Sequence, residues 1–285
     1  MSVVLTIMGY GFREAVRRKV FAVVVLLTAI FLALFWLATH YVFSRLSTIT
    51  PPAGVHVDAR VFAGAFLLGL AMFATLFLGV VLAVFLTLGV VSGDAERGLL
   101  QPLVVRPVGR ATLLLSRFLG AAIVCIVYVL AVYGIAVAII DLSGHWTPPS
   151  VLAPGLELAG GVVIVIALSI LGSVFLSSTA NGIAVFMLFG AGLTAGLLGT
   201  IGHALNSLTI EHASRDAAWA LPFEALYQDG LRIISSNTSG LTGFLLKLGP
   251  FGGSHHAGSS MLLWSVVYLA LVGGAAVLAF SKRDL

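Results

Sequence analysis

The polar side chains that could do chemistry in this 285-residue chain lie mostly in two segments between long apolar runs. In the first, residues 92–117, Asp94 can cap a short helix and Glu96 lies in its first turn, where carboxylates suit the helix dipole. Pro102 should end that helix near Gln101, and a mixed apolar and basic stretch follows. A plain connector would be shorter and more polar. We therefore predict a docking surface for another protein here, and no catalytic site.

The second segment, residues 203–259, combines histidines with carboxylates. Imidazole and carboxylate ligands suit Zn or Cu, but adjacent histidines on a Gly/Ser-rich stretch are usually just solvated. We therefore predict no metal ligands in this segment, whose candidates would have been His203, His212, His255, His256, Glu211, Asp216 and Asp229.

The same segment predicts a helix that starts at Pro222, where the missing N–H of proline costs nothing. Its apolar and polar residues fall on opposite faces. The apolar face would hold Phe223, Leu226, Tyr227, Leu231 and Ile234, and the polar face Glu224, Gln228, Asp229 and Arg232. We expect this helix either to lie on the outer leaflet of a membrane or to dip into the mouth of a transport path.

Two chemistries are missing from the sequence. There is no Gly-x-x-x-x-Gly-Lys-Ser/Thr string to hold ATP phosphates and no His-Glu-x-x-His string for zinc. No charge lies near the middle of an apolar run, which argues against an ion-coupled carrier. Two alternative functions stay open. One is an ion-coupled carrier, and the other is a membrane enzyme or assembly factor that acts through residues 203–259 on an extracytoplasmic partner.

The elements that position these segments are membrane helices. Hydrophobic residues make up 60% of the chain, charged residues only 9%, and the mean hydropathy is +1.12, whereas soluble domains carry about 25% charged residues. The polar string at 177–182 divides one long uncharged run into two. We predict an all-α polytopic membrane protein whose six transmembrane helices lie at about 20–40, 61–91, 117–140, 157–176, 183–202 and 260–280, with a cytoplasmic loop at 92–116 and an outer loop at 203–259.

Charge distribution predicts the orientation. The segments on the same side of the membrane as the N-terminus carry ten of the fifteen basic residues but only four of the eleven acidic ones. Because basic residues are enriched in cytoplasmic loops, both termini should be cytoplasmic. Residues 4–19 have helical apolar spacing and predict an interfacial helix on the inner surface, with basic residues Arg13, Arg17, Arg18 and Lys19. Because the basic residues flank apolar runs, we expect no nucleic acid partner.

Glycines on the predicted fifth span indicate a close helix contact. Gly192, Gly196 and Gly199 form a small-residue face that includes a Gly-x-x-x-Gly spacing. The sequence leaves open whether that contact lies within one chain or between two copies.

The cytoplasmic loop and its flanks resemble the ABC-2 type permease family. The resemblance is carried by Glu96-Arg97-Gly98-Leu99-Leu100, by Arg106-Pro107-Val108-Gly109-Arg110 with the leucines that follow, by the basic run before the first span and by the ending Phe280 to Leu285. The long outer loop is most similar to permeases of multicopper-enzyme maturation, such as the nitrous-oxide reductase accessory permease. Pro102 departs from the pattern, because it would shorten the docking helix.

This resemblance implies that the helix at about 94–101 is a coupling helix seated in a separate cytoplasmic ATPase, which would bind the ATP and Mg. The coupling residues would be Asp94, Glu96, Arg97, Gly98, Leu99, Leu100, Arg106, Pro107 and Arg110. It further implies a homodimer of permeases in a bacterial or archaeal cytoplasmic membrane, with the second and fifth spans lining the path. We expect no cofactor in this chain, no enzymatic activity of its own, and export of an amphiphilic or lipid-like cargo.

Overall fold

The computed structural model describes residues 19–46, 58–88, 110–236 and 258–282. These ranges contain helices and no strand, which confirms the predicted all-α class. The helices are α1 Lys19–Leu46, α2 Ala59–Thr87, α3 Arg110–Gly144, α4 Leu152–Phe175, α5 Ser178–Leu205, α6 Leu208–Ala220, α7 Pro222–Ile234 and α8 Gly258–Ser281.

Six of these helices, α1 to α5 and α8, are long and apolar enough to cross a membrane, which confirms the predicted number of spans. Most of them extend beyond the predicted bounds, because polar residues are tolerated at helix ends. At α2, for example, the Asp58 carboxylate accepts hydrogen bonds from the amides of Arg60 and Val61 at 3.1 Å and starts the helix before residue 61. The polar string at 177–182 does divide two helices, since α4 ends at Phe175 and α5 begins at Ser178.

Two helices form the inside of the bundle. In α2 and α4, 72% and 67% of the most apolar window is buried within the chain, against 17% in α1 and 22% in α8. Helix α4 packs against α2, α3, α5, α7 and α8. The outward faces of α1 and α8 are lined with exposed leucines and valines, which suits a surface that faces lipid or another membrane helix.

The two ends of the bundle differ in their connections. We call the end with residues 206–236 and the 145–151 connection the long-loop end; there the ring of Trp146 lies on Gly64 of α2, and the ring of Phe43 on Gly144 of α3. We call the opposite end, with residue 88 and the tight 176–177 turn, the hairpin end. Candidate functional groups occur at both ends.

Candidate functional site at the long-loop end

Helix α7 is inserted among the spans. Pro222 is in its first turn, every residue from Pro222 to Leu231 is buried, and so is Ile234. The helix packs against α2, α4, α5, α6 and α8. Since both its apolar and its polar face are covered by protein, the expectation that it lies flat on the outer leaflet is wrong; of the two alternatives, insertion into the mouth of the bundle describes the structure.

Phe223 packs the apolar face of α7 against the neighbouring spans. Its ring stacks on Phe189 of α5 with ring centroids 5.8 Å apart, and Phe189 lies 6.3 Å from the ring of Phe77 in α2. Two glycines make room for this residue: an added Cβ at Gly192 would come within 2.5 Å of the Phe223 ring, and one at Gly161 within 3.2 Å of its carbonyl oxygen. α7 therefore packs on α4 and α5 at distances that any larger side chain would change.

The polar face of α7 carries a buried carboxyl group. Glu224 is 1% exposed, its carboxyl occupies the space where a Cβ of Gly196 would be, and it hydrogen-bonds Gln228 one turn later. Within the described ranges, Glu224 Oε1 has no hydrogen-bond partner. Burial raises the pKa of Glu224 from 4.5 to about 8, against the opposing effect of the Gln228 hydrogen bond. At neutral pH this carboxyl is therefore mostly protonated while α7 is packed.

A second polar group joins α7 to α4. Arg232 Nε donates to Asp229 Oδ1 at 2.9 Å, and the Asp229 carboxyl hydrogen-bonds Glu157 near the start of α4. The backbone approaches closely at Gly230, where a Cβ would lie 3.2 Å from Glu157 Oε2. No set of three His, Cys, Asp or Glu side chains that could hold a metal ion occurs in the part of the chain that the structure describes. The Arg232–Asp229 ion pair therefore lies within α7, and the contact with α4 is the hydrogen bond between the two carboxyl groups, one of which must carry the proton.

Helix α6 and two tryptophans complete this end of the bundle. Ser214 Oγ of α6 donates to the Ala195 carbonyl of α5 at 2.9 Å, and Trp264 Nε1 of α8 donates to the Trp219 carbonyl of α6 at 2.8 Å. The two indole rings are 5.7 Å apart. Tryptophan is enriched at membrane–water boundaries, so this layer is typical of the level where spans leave the bilayer.

Comparison with known proteins decides the family. A family model described as ABC-2 family transporter protein matches residues 5–285, nearly the whole chain. The chain belongs to the ABC-2 transporter family. No protein of curated function matches it significantly, so the resemblance to the multicopper-enzyme maturation group stays a prediction. As a family member it is a transport subunit in the membrane, and ABC-2 permeases generally work with ATPase partners.

The structure brings together some of the predicted site residues of this ABC-2 transporter. Gly192 and Gly196 lie against α7 of the same chain, and Gly199 is buried in α5. Lys19 and Arg110 are the first residues of α1 and α3. The remaining candidates lie outside the described residues: Arg13, Arg17, Arg18, Asp94, Glu96, Arg97, Gly98, Leu99, Leu100, Arg106 and Pro107.

Sequence reasoning missed the burial of Glu224, Gln228 and Asp229. It assigned them to the polar side of an amphipathic helix, where water or headgroups would cover them. The signal that could have located them was the small-residue face of α5, because a face that admits another helix needs a partner, and α7 follows it in the chain.

Proposed function

We propose that this chain is the membrane subunit of an ATP-driven exporter in which α7 closes the long-loop end of the cargo path. The observation that carries the proposal is the burial of a 13-residue non-spanning helix, in which all residues but Arg232 and Ile233 are buried, against spans α2, α4, α5 and α8. A helix packed in this way would close a cargo path between these spans at the long-loop end, and a cargo would leave there only after α7 has moved. Family membership supplies the ATP-driven context.

The partner ATPase would dock at the hairpin end. The predicted loop 92–116 overlaps the first turns of α3, because that helix begins at Arg110, and residues 88–109 connect α2 to α3. A force applied to this connection acts on the ends of both helices. The coupling residues would be those of the 94–101 helix and the basic segment Arg106–Arg110. The charge asymmetry of the sequence supports a cytoplasmic position for this end and for both termini. ATP and Mg would then be bound by the partner ATPase subunits in a bacterial or archaeal cytoplasmic membrane.

Cargo and assembly follow from the apolar surfaces. A groove of about 690 Å³ between α3, α4 and α8 is lined by apolar side chains, among them Phe118, Ile170 and Val277. Surfaces of this kind suit an amphiphilic or lipid-like molecule, and they offer little to a strongly charged one. The weakly buried spans α1 and α8 leave long apolar faces that a second copy of the chain could cover, which is compatible with a homodimer.

Reversing a charge in the coupling helix should separate the permease from its ATPase. We expect Arg97→Glu to abolish co-purification of the proposed ATPase partner, because it places a like charge among the acidic residues Asp94 and Glu96 and alters the docking surface. The measurement is a pull-down from detergent with a tagged permease. As a matched control, Arg215→Glu reverses an exposed arginine on α6 at the opposite end, and the ATPase should still be recovered. Loss of the ATPase in both variants, or in neither, would contradict the placement of the docking site.

A further inference from the structure

The hairpin end holds a buried polar cluster of Thr87, Ser169 and Asn181, one residue from each of α2, α4 and α5. Thr87 Oγ1 and Ser169 Oγ are 2.6 Å apart. Asn181 Nδ2 donates to the Ser169 carbonyl at 2.9 Å and lies 3.4 Å from its hydroxyl. All three residues are at most 1% exposed. The cluster therefore joins three helices through directional contacts in an otherwise apolar environment.

The protons in this cluster have a consistent assignment. Thr87 Oγ1 donates to the Ala83 carbonyl of its own helix at 2.8 Å, so the Ser169 hydroxyl is left to donate to Thr87. Asn181 then adds the bond to the Ser169 main chain. The side chain of each residue thus contacts a neighbouring helix. Several other buried hydroxyls, those of Thr75, Ser116, Ser173 and Ser265, bond in the described residues to a carbonyl of their own helix.

Two glycines allow this arrangement. A Cβ at Gly172 of α4 would overlap Asn181 Oδ1, and one at Gly182 of α5 would lie 3.4 Å from Leu88 Cδ2, at the C-terminal end of α2. Asn181 can therefore enter between α4 and α5 only because residue 172 has no side chain. The close approach brings the start of α5 to the end of α2.

The helices that contribute the cluster extend from the hairpin end to the long-loop end. Thr87 is the last residue of α2, directly before the segment that holds the proposed coupling helix. At their other ends α4 and α5 hold α7, through Gly161, Gly192 and Gly196. A displacement of Thr87 therefore acts directly on Ser169 of α4 and, through Ser169, on Asn181 of α5. Helix α7 packs on both of these helices.

We propose that the Thr87–Ser169–Asn181 cluster transmits movement of residues 88–109 from α2 to α4 and α5, and so to α7. The three residues are positioning residues: they touch neither nucleotide nor cargo. The proposal rests on the proposed function, because it requires an ATPase that acts on residues 88–109. Spatial continuity alone does not measure coupling, so the test must separate transmission from packing.

The test compares ATP-dependent opening of α7 in the purified permease–ATPase complex. Amide hydrogen exchange of residues 222–234 is measured without nucleotide and after trapping with ATP and vanadate, alongside the rate of ATP hydrolysis. Thr87→Val and Asn181→Leu keep the branching of the side chain and remove the inter-helix bonds. We expect both to assemble and hydrolyse ATP, with the ATP-dependent gain in α7 exchange reduced about threefold to tenfold, the range expected for one inter-helix hydrogen bond in a membrane.

Matched variants separate this role from general stability. Thr75→Val removes a buried hydroxyl on the same helix that bonds only to the Ala71 carbonyl, and the gain in α7 exchange should stay at the wild-type level. Thr87→Ser keeps the hydroxyl and should restore it. Ser169→Ala, which only deletes an atom, provides the same test if a larger change prevents folding, and combining it with Thr87→Val should add nothing further.

The outcomes distinguish failure of the proposed role of the cluster from failure of the proposed function. A full ATP-dependent gain in Thr87→Val, Asn181→Leu and Ser169→Ala overturns the role of the cluster and leaves the proposed function standing. An equal loss in Thr75→Val also overturns it, because any buried hydroxyl would then have the same effect. If the wild-type complex itself shows no ATP-dependent change in α7, the proposed function fails first.

Discussion

Replacing Gly196 with leucine is expected to force α7 off α5. The space that the new side chain needs is occupied by the Glu224 carboxyl, and Gln228 Nε2 lies 2.7 Å from the position of the first added atom. Overpacking a well-packed site costs about 1–3 kcal/mol, and here the displaced atoms include a buried polar group. We expect a loss near the upper end of that range, seen as roughly 100-fold faster amide exchange in residues 222–234.

The same helix offers a matched control. A Cβ at Gly190 meets no atom within 4 Å, so Gly190→Leu should leave α7 unchanged and gain about 0.5–1 kcal/mol of helix propensity. In the double variant Gly196→Leu with Glu224→Ala, the clashing carboxyl is removed, and the destabilisation should be smaller than the sum of the two single effects. Additive effects, or equal exchange in the Gly190 and Gly196 variants, would show that α7 does not pack on Gly196.

Placing a permanent charge at position 224 is expected to have the second large effect. Glu224→Arg buries a guanidinium group, which stays charged at every pH that the protein tolerates. In the described residues the group that hydrogen-bonds the side chain at this site is the neutral Gln228, and an unpaired buried charge destabilises by about 3–5 kcal/mol. α7 should therefore become accessible to protease and exchange quickly across the whole pH range. Glu224→Gln keeps the shape and the hydrogen bond to Gln228 without a charge, so α7 should stay packed.

The wild-type carboxyl makes the packing of α7 dependent on pH. In packed α7 the pKa of Glu224 is about 8, while its ordinary value is 4.5, so release of α7 between these pH values also releases a proton. Packing is therefore most stable below pH 4.5 and weakens as the pH rises towards 8, by roughly a few kcal/mol in total.

Comparison with Glu224→Gln isolates this effect from the other titratable groups around α7. Those on α7 and on the helices packed against it include Tyr227, Asp229, Arg232, Glu157, Glu211, His212, Arg215 and Asp216. They are the same in both proteins, so the difference in α7 exchange between wild type and variant should grow from pH 5 to pH 8. A difference that is constant with pH would contradict a protonated Glu224.

The spans could be predicted from the sequence because a single physical constraint determines them. Charges are costly in hydrocarbon, so uncharged runs of sufficient length mark the helices, and the polar string at 177–182 marks the turn between α4 and α5. The predicted positions of the helix ends were less accurate. α3 begins at Arg110 and includes Arg117, because an arginine near a helix end can reach the headgroups and does not stop the helix.

The burial of α7 could not be predicted in the same way. Its apolar and polar residues alternate with helical period, and this pattern is the same for a helix at a membrane surface and for a helix inserted among others. What distinguishes the two is the surroundings: Gly161, Gly192 and Gly196 on two spans far apart in the sequence make the space that Phe223 and Glu224 fill. The Thr87–Ser169–Asn181 cluster was missed for the same reason, since three isolated polar residues show no pattern before the helices pack.

The most direct test of the account is whether ATP at the hairpin end moves α7 at the long-loop end. A Cβ at Gly161 lies 3.7 Å from Phe223 Cβ, close to the roughly 3.8 Å of a disulfide. Gly161→Cys with Phe223→Cys, in a chain whose only cysteine is changed by Cys125→Ala, should oxidise readily in the nucleotide-free complex, and neither single variant should form an internal bond. Trapping the ATPase with ATP and vanadate should slow disulfide formation about tenfold or more, as expected if the trapped state holds α7 away from α4. The same rate with and without trapped nucleotide would contradict the claim that this permease opens by moving α7.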